Sequence, residues 1–153
     1  IEGMDSSVVA RYARVVDSPG EADFAIIRLN TPWYPADTKN PFALSFHHGD
    51  LNFQGEEQAR LMELMGKVPT IVDIYLDRPA VIPDIAGASK ALIADFGASD
   101  RNVCEVLFGN ARPQGKLPFE LPSSMEAVRN QLTDVPYDSE DPLYKFGYGL
   151  NYK

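Results

Sequence analysis

The chain has 153 residues, of which 44% are hydrophobic and 24% are charged, as expected for one globular domain with its own core. The formal net charge of −8 at pH 7 argues against binding to nucleic acid or an anionic membrane and favours a neutral ligand. Cys104 is the single cysteine, which excludes an internal disulfide and a cysteine-based zinc site. No apolar run approaches the roughly 20 residues that a membrane helix needs.

A first helix is predicted to follow Asp5, whose side chain can cap it, and residues 14–16 are predicted as a short strand. Further along, three compact apolar segments predict the strands of a buried parallel sheet: residues 24–29 (FAIIRL), 69–76 (PTIVDIYL) and 91–96 (ALIADF). Asp73 interrupts the second segment. Its carboxylate either has a buried partner or marks a stretch of strand that faces solvent.

Helices are predicted between and after these strands. One covers residues 56–65 and is ended by Gly66, and another covers residues 100–108 after a capping Ser99. Shorter helices are predicted over residues 81–86 and 123–131. This alternation predicts an α/β fold: a three-layer sandwich with a mainly parallel sheet and helices on both faces, flavodoxin-like in general architecture. We expect a single domain over residues 1–153.

In sheets of this kind, ligands bind beyond the carboxyl ends of the strands. Those ends are Asn30 and Thr31, Asp77 and Arg78, and residues 95–97. A long loop, residues 30–54, leaves from the first of them and contains prolines and several aromatic residues. Loops of this length are uncommon in compact domains and are usually functional or mobile, so we expect the site there.

The first part of this loop offers two aromatic rings and a carboxylate. Trp33 and Tyr34 can stack on the apolar C–H faces of a sugar, or they can latch the loop onto its own domain. Asp37 is a candidate general acid whose pKa would be raised by burial among aromatic rings. The alternative for Asp37 is a solvated loop carboxylate.

The second part reads His47-His48-Gly49-Asp50. Adjacent histidines on a strand point to opposite faces, so chelation of a metal is poorly supported. A proton relay through a His–Asp pair is chemically possible, but hydrogen bonding of His47, His48 and Asp50 with sugar hydroxyls or with a neighbouring domain is favoured. Arg78 is a further candidate for substrate binding, or it forms with Asp77 an ion pair that holds the loop. No phosphate-cradling glycine-rich loop follows a strand, and we expect no cofactor.

Three blocks resemble the C-terminal domain of glycoside hydrolase family 3. The first is residues 106–122 (VLFGNARPQGKLPFELP), with a Phe-Gly, a polar turn, Gly-Lys-Leu-Pro and a closing proline. The second is residues 142–152 (PLYKFGYGLNY), which is similar to the Tyr-x-Phe-Gly-Tyr/Phe-Gly-Leu-x-Tyr signature of the family. The third is Arg78-Pro79 after a buried strand, and the resemblance spans residues 69–152.

The resemblance implies a β-glucosidase-like enzyme that hydrolyses O-glycosidic bonds. In this family a (β/α)8 barrel precedes the α/β domain and carries the Asp nucleophile, while the α/β domain usually lends the acid/base from a loop. The implied partners are therefore that N-terminal barrel of the same polypeptide and a carbohydrate substrate. The isolated chain lacks the barrel and is expected to be inactive. The competing hypothesis is a flavodoxin-like binding or interaction module without catalysis.

The sequence also departs from the family. Many members carry Gly-Gln-Glu-Gly-Gly after the third strand, whereas residues 97–101 here read GASDR, and residues 30–54 contain no Glu. The acid/base is then Asp37 or Asp50, lies elsewhere, or has been lost. Because the chain begins at Ile1 without an initiator Met, we interpret its start as a cut. A signal sequence can therefore precede it, and without one we expect a cytoplasmic location.

Overall fold

The computed structural model describes residues 1–35 and 39–152 of the chain. Its sheet contains β1 (Ala25–Asn30), β2 (Thr70–Tyr75) and β3 (Ala91–Asp95), all parallel and in the order β1-β2-β3. The three strands predicted from apolar runs are thus confirmed to within one residue at each end. In the register, Arg28 of β1 lies opposite Asp73 of β2, which lies opposite Ile93 of β3.

The prediction of a strand over residues 14–16 was wrong, since these residues have no regular structure. The free edge of β1 is instead occupied by Glu2, which pairs in parallel with Ile27. The Glu2 amide donates to the Ile26 carbonyl at 3.0 Å, and the Arg28 amide donates to the Glu2 carbonyl at 2.9 Å. With these donors and acceptors already paired, that part of the edge has no ladder position left for another segment.

The helices are α1 (Ser6–Val9), α2 (Pro41–Leu44), α3 (Gly55–Lys67), α4 (Pro83–Ala88), α5 (Asp100–Leu107) and α6 (Met125–Asn130). The predicted caps are confirmed, because the Asp5 side chain accepts from the Ser7 amide and Ser99 from the Asn102 amide. Gly66 does not end α3, which continues to Lys67. Helix α4 begins later than predicted, with Pro83 in its first turn, where the missing amide proton costs nothing. No helix within residues 1–35 and 39–152 is long and apolar enough to cross a membrane.

Apolar side chains cover both faces of the sheet. On one face the core includes residues of β1, β2, α3 and α4: Ile27, Leu29, Val72, Ile74, Leu61, Met65 and Ile85. On the other face Val9 of α1 and Cys104 of α5 pack against Ile26 of β1. Helices therefore lie on both sides of the sheet, and the predicted three-layer sandwich is confirmed. Cys104 is fully buried and packs as a small apolar side chain.

Two of the three blocks that carry the family resemblance, residues 106–122 and 142–152, pair with each other. The Leu117 amide donates to the Tyr148 carbonyl and the Leu121 amide to the Tyr144 carbonyl, each at 2.9 Å. Leu117 and Leu121 thereby reach the core beside the sheet. At Gly149 the two segments approach so closely that a Cβ would lie 2.5 Å from the Gly115 carbonyl oxygen. This contact explains the need for glycine at position 149.

Candidate functional site

The two ends of the long loop are fixed to the sheet and to the core. At its start, the Thr31 hydroxyl donates to the carbonyl of Tyr75, the last residue of β2, at 2.9 Å. At its end, the Leu51 carbonyl accepts from the Val81 amide at 2.9 Å, and Phe53 is buried in the core. The loop therefore leaves and re-enters at the carboxyl edge of the sheet, where the sequence placed the site.

Arg78 clamps the two arms of the loop together. Its Nη2 donates to the carbonyl of Pro32 in the first arm, and to those of His48 at 3.2 Å and Asp50 at 2.9 Å in the second. Its Nη1 donates to the Gly49 carbonyl at 3.2 Å. A guanidinium presents several donors in a fixed plane, which suits a convergent set of carbonyl groups.

These bonds give Arg78 a task in holding the loop. The alternative in which Asp77 forms an ion pair with Arg78 was wrong. The Oδ2 of Asp77 instead bonds Nδ1 of His47. Arg78 and Asp77 thus hold the same loop through separate partners. The prediction that Arg78 binds substrate stays a prediction.

The Trp33 ring stacks on the His47 ring, and His47 bonds the carboxylate of Asp77. The Trp33 and His47 rings are stacked with their centroids 4.5 Å apart and their planes 9° from parallel. Trp33 remains 44% exposed although the imidazole covers one of its faces. The arrangement presents an indole at the carboxyl edge of the sheet with one face backed by protein.

Tyr34 is a second exposed ring in the same arm. Its amide donates to the His48 carbonyl at 2.8 Å, which makes an antiparallel bridge between the two arms. The ring packs over Gly49, where a Cβ would lie only 2.2 Å from Tyr34 Cδ2. Gly49 also has a φ of +87°, a conformation that side-chain-bearing residues rarely adopt. Tyr34 itself is 46% exposed.

The remaining site candidates have different surroundings. The Nε2 of His48 lies 2.8 Å from the carbonyl oxygen of Ala43 in α2. One carboxylate oxygen of Asp50 accepts from the Gln54 side-chain amide at 2.9 Å. Asp37 lies outside the described residues, so its role as general acid stays a prediction. The structure therefore brings Trp33, Tyr34 and His47 together at the two arms and directs His48 toward α2.

The outer part of the loop carries exposed apolar side chains. Phe42 of α2 is 77% exposed, and Phe46 just beyond this helix is 63% exposed. Leu44 is exposed as well. Clusters of large exposed apolar side chains are characteristic of surfaces that contact another domain or ligand.

A second polar cluster lies within the sheet and at the start of α5, and sequence reasoning singled out Asp73 of this cluster but not its partners. Arg28 contacts three carboxylates: Asp73 at 3.1 Å from Nε, Asp95 at 2.9 Å from Nη2 and Asp100 at 2.6 Å from Nη1. Its Nη2 also donates to the Ala98 carbonyl at 2.6 Å. The signal was present in the sequence, since Arg28 and Asp73 each interrupt an apolar strand at two residues from its carboxyl end.

Asp73 has a distinctive environment in this cluster. It is fully buried, so the alternative of a solvent-facing stretch was wrong. Arg28 Nε forms an ion pair with Asp73 Oδ2 at 3.1 Å, yet neither Asp73 oxygen accepts a hydrogen bond from a described residue. Burial raises the pKa of Asp73 to about 7, and the negative charge of Asp95 adds to this effect while Arg28 opposes it.

Asp95 and Asp100 are better satisfied. Asp95 Oδ1 accepts from the amides of Gly97 and Ala98 at 2.7 and 2.8 Å. Burial alone would raise the pKa of Asp95, but the hydrogen bonds from Arg28 and these amides outweigh it and hold the pKa below its ordinary value. Asp100 Oδ2 accepts from the Asp5 amide at 2.8 Å, which joins the start of α5 to the start of α1. Within residues 1–35 and 39–152, no group of three or more His, Cys, Asp or Glu side chains is arranged to hold a metal ion.

Comparison with known proteins gives this geometry a family. Residues 2–152 match the family model described as the glycosyl hydrolase family 3 C-terminal domain. The chain belongs to this family. The fold described above is therefore that of a family 3 C-terminal domain.

The similar sequences include glucosidases from fungi and bacteria. A probable beta-glucosidase C of Aspergillus flavus is 48% identical over 153 residues, covering 99% of this chain and 24% of the relative. A periplasmic beta-glucosidase/beta-xylosidase of Dickeya chrysanthemi is 46% identical over 139 residues, covering 89% of this chain and 21% of the relative. The chain thus spans about a quarter of the length of the curated relatives it matches.

Solved structures agree on the fold of this family 3 domain. The beta-glucosidase D2-BGL from Chaetomella raphigera superposes with a TM-score of 0.67 at 20% identity, covering 87% of this chain and 22% of that one. A beta-glucosidase from Listeria innocua in complex with isofagomine gives a TM-score of 0.59 at 22% identity, covering 86% and 21%. At these identities the likeness concerns the fold alone.

Proposed function

We propose that this chain is the C-terminal domain of a β-glucosidase-like enzyme that hydrolyses O-glycosidic bonds, and that its long loop forms one wall of the sugar site. The observation that carries the proposal is the loop itself. Arg78 holds its two arms at the carboxyl edge of the sheet, and the first arm presents the half-exposed rings of Trp33 and Tyr34. Aromatic rings with an open face suit the apolar C–H surface of a neutral pyranose.

The other half of the site comes from a second domain. Retaining glycoside hydrolysis needs two carboxyl groups about 5–5.5 Å apart on either side of the scissile bond. We assign the nucleophile to an N-terminal barrel of the same polypeptide. The exposed apolar side chains of Phe42, Leu44 and Phe46 on the outer loop supply a surface for that barrel.

The acid/base of the pair is assigned to Asp37. A general acid protonates the leaving oxygen as the glycosidic bond breaks and later removes a proton from the attacking water. The other loop carboxylate, Asp50, already accepts a hydrogen bond from Gln54 and has its backbone carbonyl bound by Arg78. Its contacts suit it to shaping the loop or binding a sugar hydroxyl.

The first experiment compares the 153-residue chain with the full-length protein on an aryl β-glucoside. We expect turnover only from the full-length protein, because the chain supplies one carboxylate of two. Trp33→Ala in the full-length enzyme should raise KM about tenfold, which corresponds to about 1.4 kcal/mol of binding. Phe24→Ala is the matched control, since Phe24 is an exposed aromatic residue just before the amino end of β1. Robust hydrolysis by the purified chain alone would contradict the proposal.

The second experiment addresses Asp37 through the leaving group. A general acid matters most for a poor leaving group and little for an activated phenol such as 2,4-dinitrophenol. Asp37→Asn should therefore lower kcat/KM, which reports the bond-breaking step, by about 10²–10⁴-fold for an alkyl β-glucoside and far less for the dinitrophenyl glucoside. Asp50→Asn is the control and should affect kcat/KM equally for both substrates. An equal loss of kcat/KM for both substrates in Asp37→Asn would remove Asp37 from this role.

A further inference from the structure

We propose that Asp77 is a positioning residue that acts through His47 to orient Trp33 for sugar binding. This inference rests on the proposed function, because it assumes that the indole of Trp33 meets the sugar. Asp77 itself contacts no substrate in this arrangement, and its effect is measured on Trp33, the ring that meets the sugar.

Asp77 connects the sheet to the Trp33 indole through His47. Asp77 follows β2 by two residues, and between them Leu76 is buried and its amide donates to the Asp95 carbonyl at 2.9 Å. Asp77 is therefore attached to the rigid part of the domain. Its carboxylate bonds Nδ1 of His47, and the His47 ring stacks on Trp33 at 4.5 Å. Each ring is placed by the group behind it.

The Trp33 indole depends on His47 for its orientation. The backbone on both sides of Trp33 is fixed, by Arg78 at the Pro32 carbonyl and by the His48 carbonyl at the Tyr34 amide. These bonds do not set the side-chain torsions of Trp33. In the part of the chain that the structure describes, the aromatic ring against Trp33 is that of His47. Because the outer torsion of a histidine is broad, His47 needs a partner to hold its plane, and Asp77 supplies it.

Asp77 also determines which nitrogen of His47 can accept a hydrogen bond. In the neutral imidazole, a bond from Nδ1–H to the Asp77 carboxylate leaves Nε2 as a hydrogen-bond acceptor. No described residue bonds Nε2 of His47. A sugar stacked on Trp33 would therefore find an acceptor for one of its hydroxyl protons beside the ring. Asp77 thus sets both the plane of His47 and which of its nitrogens can receive that proton.

The test on the 153-residue chain uses Trp33 fluorescence, which is specific because the chain has one tryptophan. Asp77→Ala should raise the rate of acrylamide quenching of Trp33 about twofold, because the imidazole no longer shields one face. Asp77→Asn retains an acceptor oxygen for Nδ1–H and should restore most of the protection. Asp84→Ala, which removes an exposed carboxylate of α4 that bonds Gln58, is the control and should leave quenching unchanged.

The test on the full-length enzyme separates binding from catalysis. Asp77→Ala should raise KM for an aryl β-glucoside about tenfold and leave kcat within about threefold. Asp77→Asn should recover most of the loss. If Asp77→Ala fails to fold, His47→Ala removes the same support and should give the same two readouts.

The outcomes distinguish this inference from the proposed function. An inactive full-length protein with normal quenching differences would refute the proposed function, and the structural role of Asp77 would stand without its sugar. An active enzyme whose Asp77→Ala variant shows unchanged quenching and unchanged KM would overturn the inference alone. A fall in kcat at constant KM would also overturn it, because Asp77 would then act in the chemical step.

Discussion

Replacing Asp73 by Asn removes a fully buried carboxylate from the Arg28 cluster while keeping its shape. Burial and the nearby Asp95 raise the pKa of Asp73 from 3.8 to about 7. The folded state therefore favours the protonated form, and ionisation of Asp73 opposes folding. The stability associated with this proton is fully present below about pH 4 and is lost as the pH rises toward 7.

The size of the effect follows from the same linkage. Each pKa unit corresponds to about 1.4 kcal/mol, so full ionisation of Asp73 costs the fold on the order of 4 kcal/mol. Asn at this position cannot ionise. Between pH 5 and pH 8 the original chain should lose about 2–3 kcal/mol of unfolding free energy relative to Asp73→Asn, with most of the loss below pH 7.

Urea unfolding of both chains at pH 5, 6, 7 and 8, followed by far-UV circular dichroism, measures this difference. Other titrating groups are common to both chains, so their contributions cancel. Asp84→Asn controls for the loss of one exposed negative charge. Two results would refute the reasoning: a constant difference at every pH, or an Asn variant that is less stable throughout. Either would mean that Asp73 is ionised in the fold and stabilised by Arg28.

Two further substitutions test the loop. Arg78→Lys keeps the positive charge, but a lysine cannot reach carbonyls in both arms with one planar group. Trp33 should therefore become more accessible to quenching by iodide. Unchanged quenching would mean that the two arms hold each other without Arg78. Gly49→Ala should lower the free energy of unfolding by about 1–3 kcal/mol, because of the positive φ and the clash with Tyr34. Gly66→Ala inside α3, whose Cβ would meet no atom within 4 Å, should instead raise it by about 0.5–1 kcal/mol, and equal effects at the two glycines would contradict this account.

The regular elements of the fold could be predicted because their signals are local. The three strands are short runs of β-branched and apolar residues, and the caps Asp5 and Ser99 are visible one residue before their helices. The strand predicted at residues 14–16 failed because pairing is not local: the sequence does not show that Glu2 takes the edge of β1. The prediction that α3 ends at Gly66 was wrong for a similar reason. The packing of Leu61 and Met65 outweighs the low helix propensity of glycine at position 66.

The position of the long loop could be predicted from the sequence, but its contacts could not. The long loop and Arg78 were predicted to meet at the carboxyl edge of the sheet, and they do. That His47 bonds Asp77 rather than Asp50 depends on how two segments 30 residues apart are brought together, which no local pattern encodes. The cluster around Arg28 depends on strand register in the same way, because Arg28 meets Asp73 only when β1 and β2 pair as they do.

The segment after β3 differs from the Glu-containing sequence that the family resemblance leads one to expect there. Residues 96–99 connect β3 to α5, and the carboxylates at the two ends of this connection, Asp95 and Asp100, bind within the domain. Both carboxylate oxygens of Asp100 are occupied, one by Arg28 at 2.6 Å and one by the Asp5 amide at 2.8 Å. Both oxygens of Asp95 are occupied as well, by Arg28 and by the amides of the turn. In this chain the carboxylates of Asp95 and Asp100 therefore join the sheet to the starts of α1 and α5.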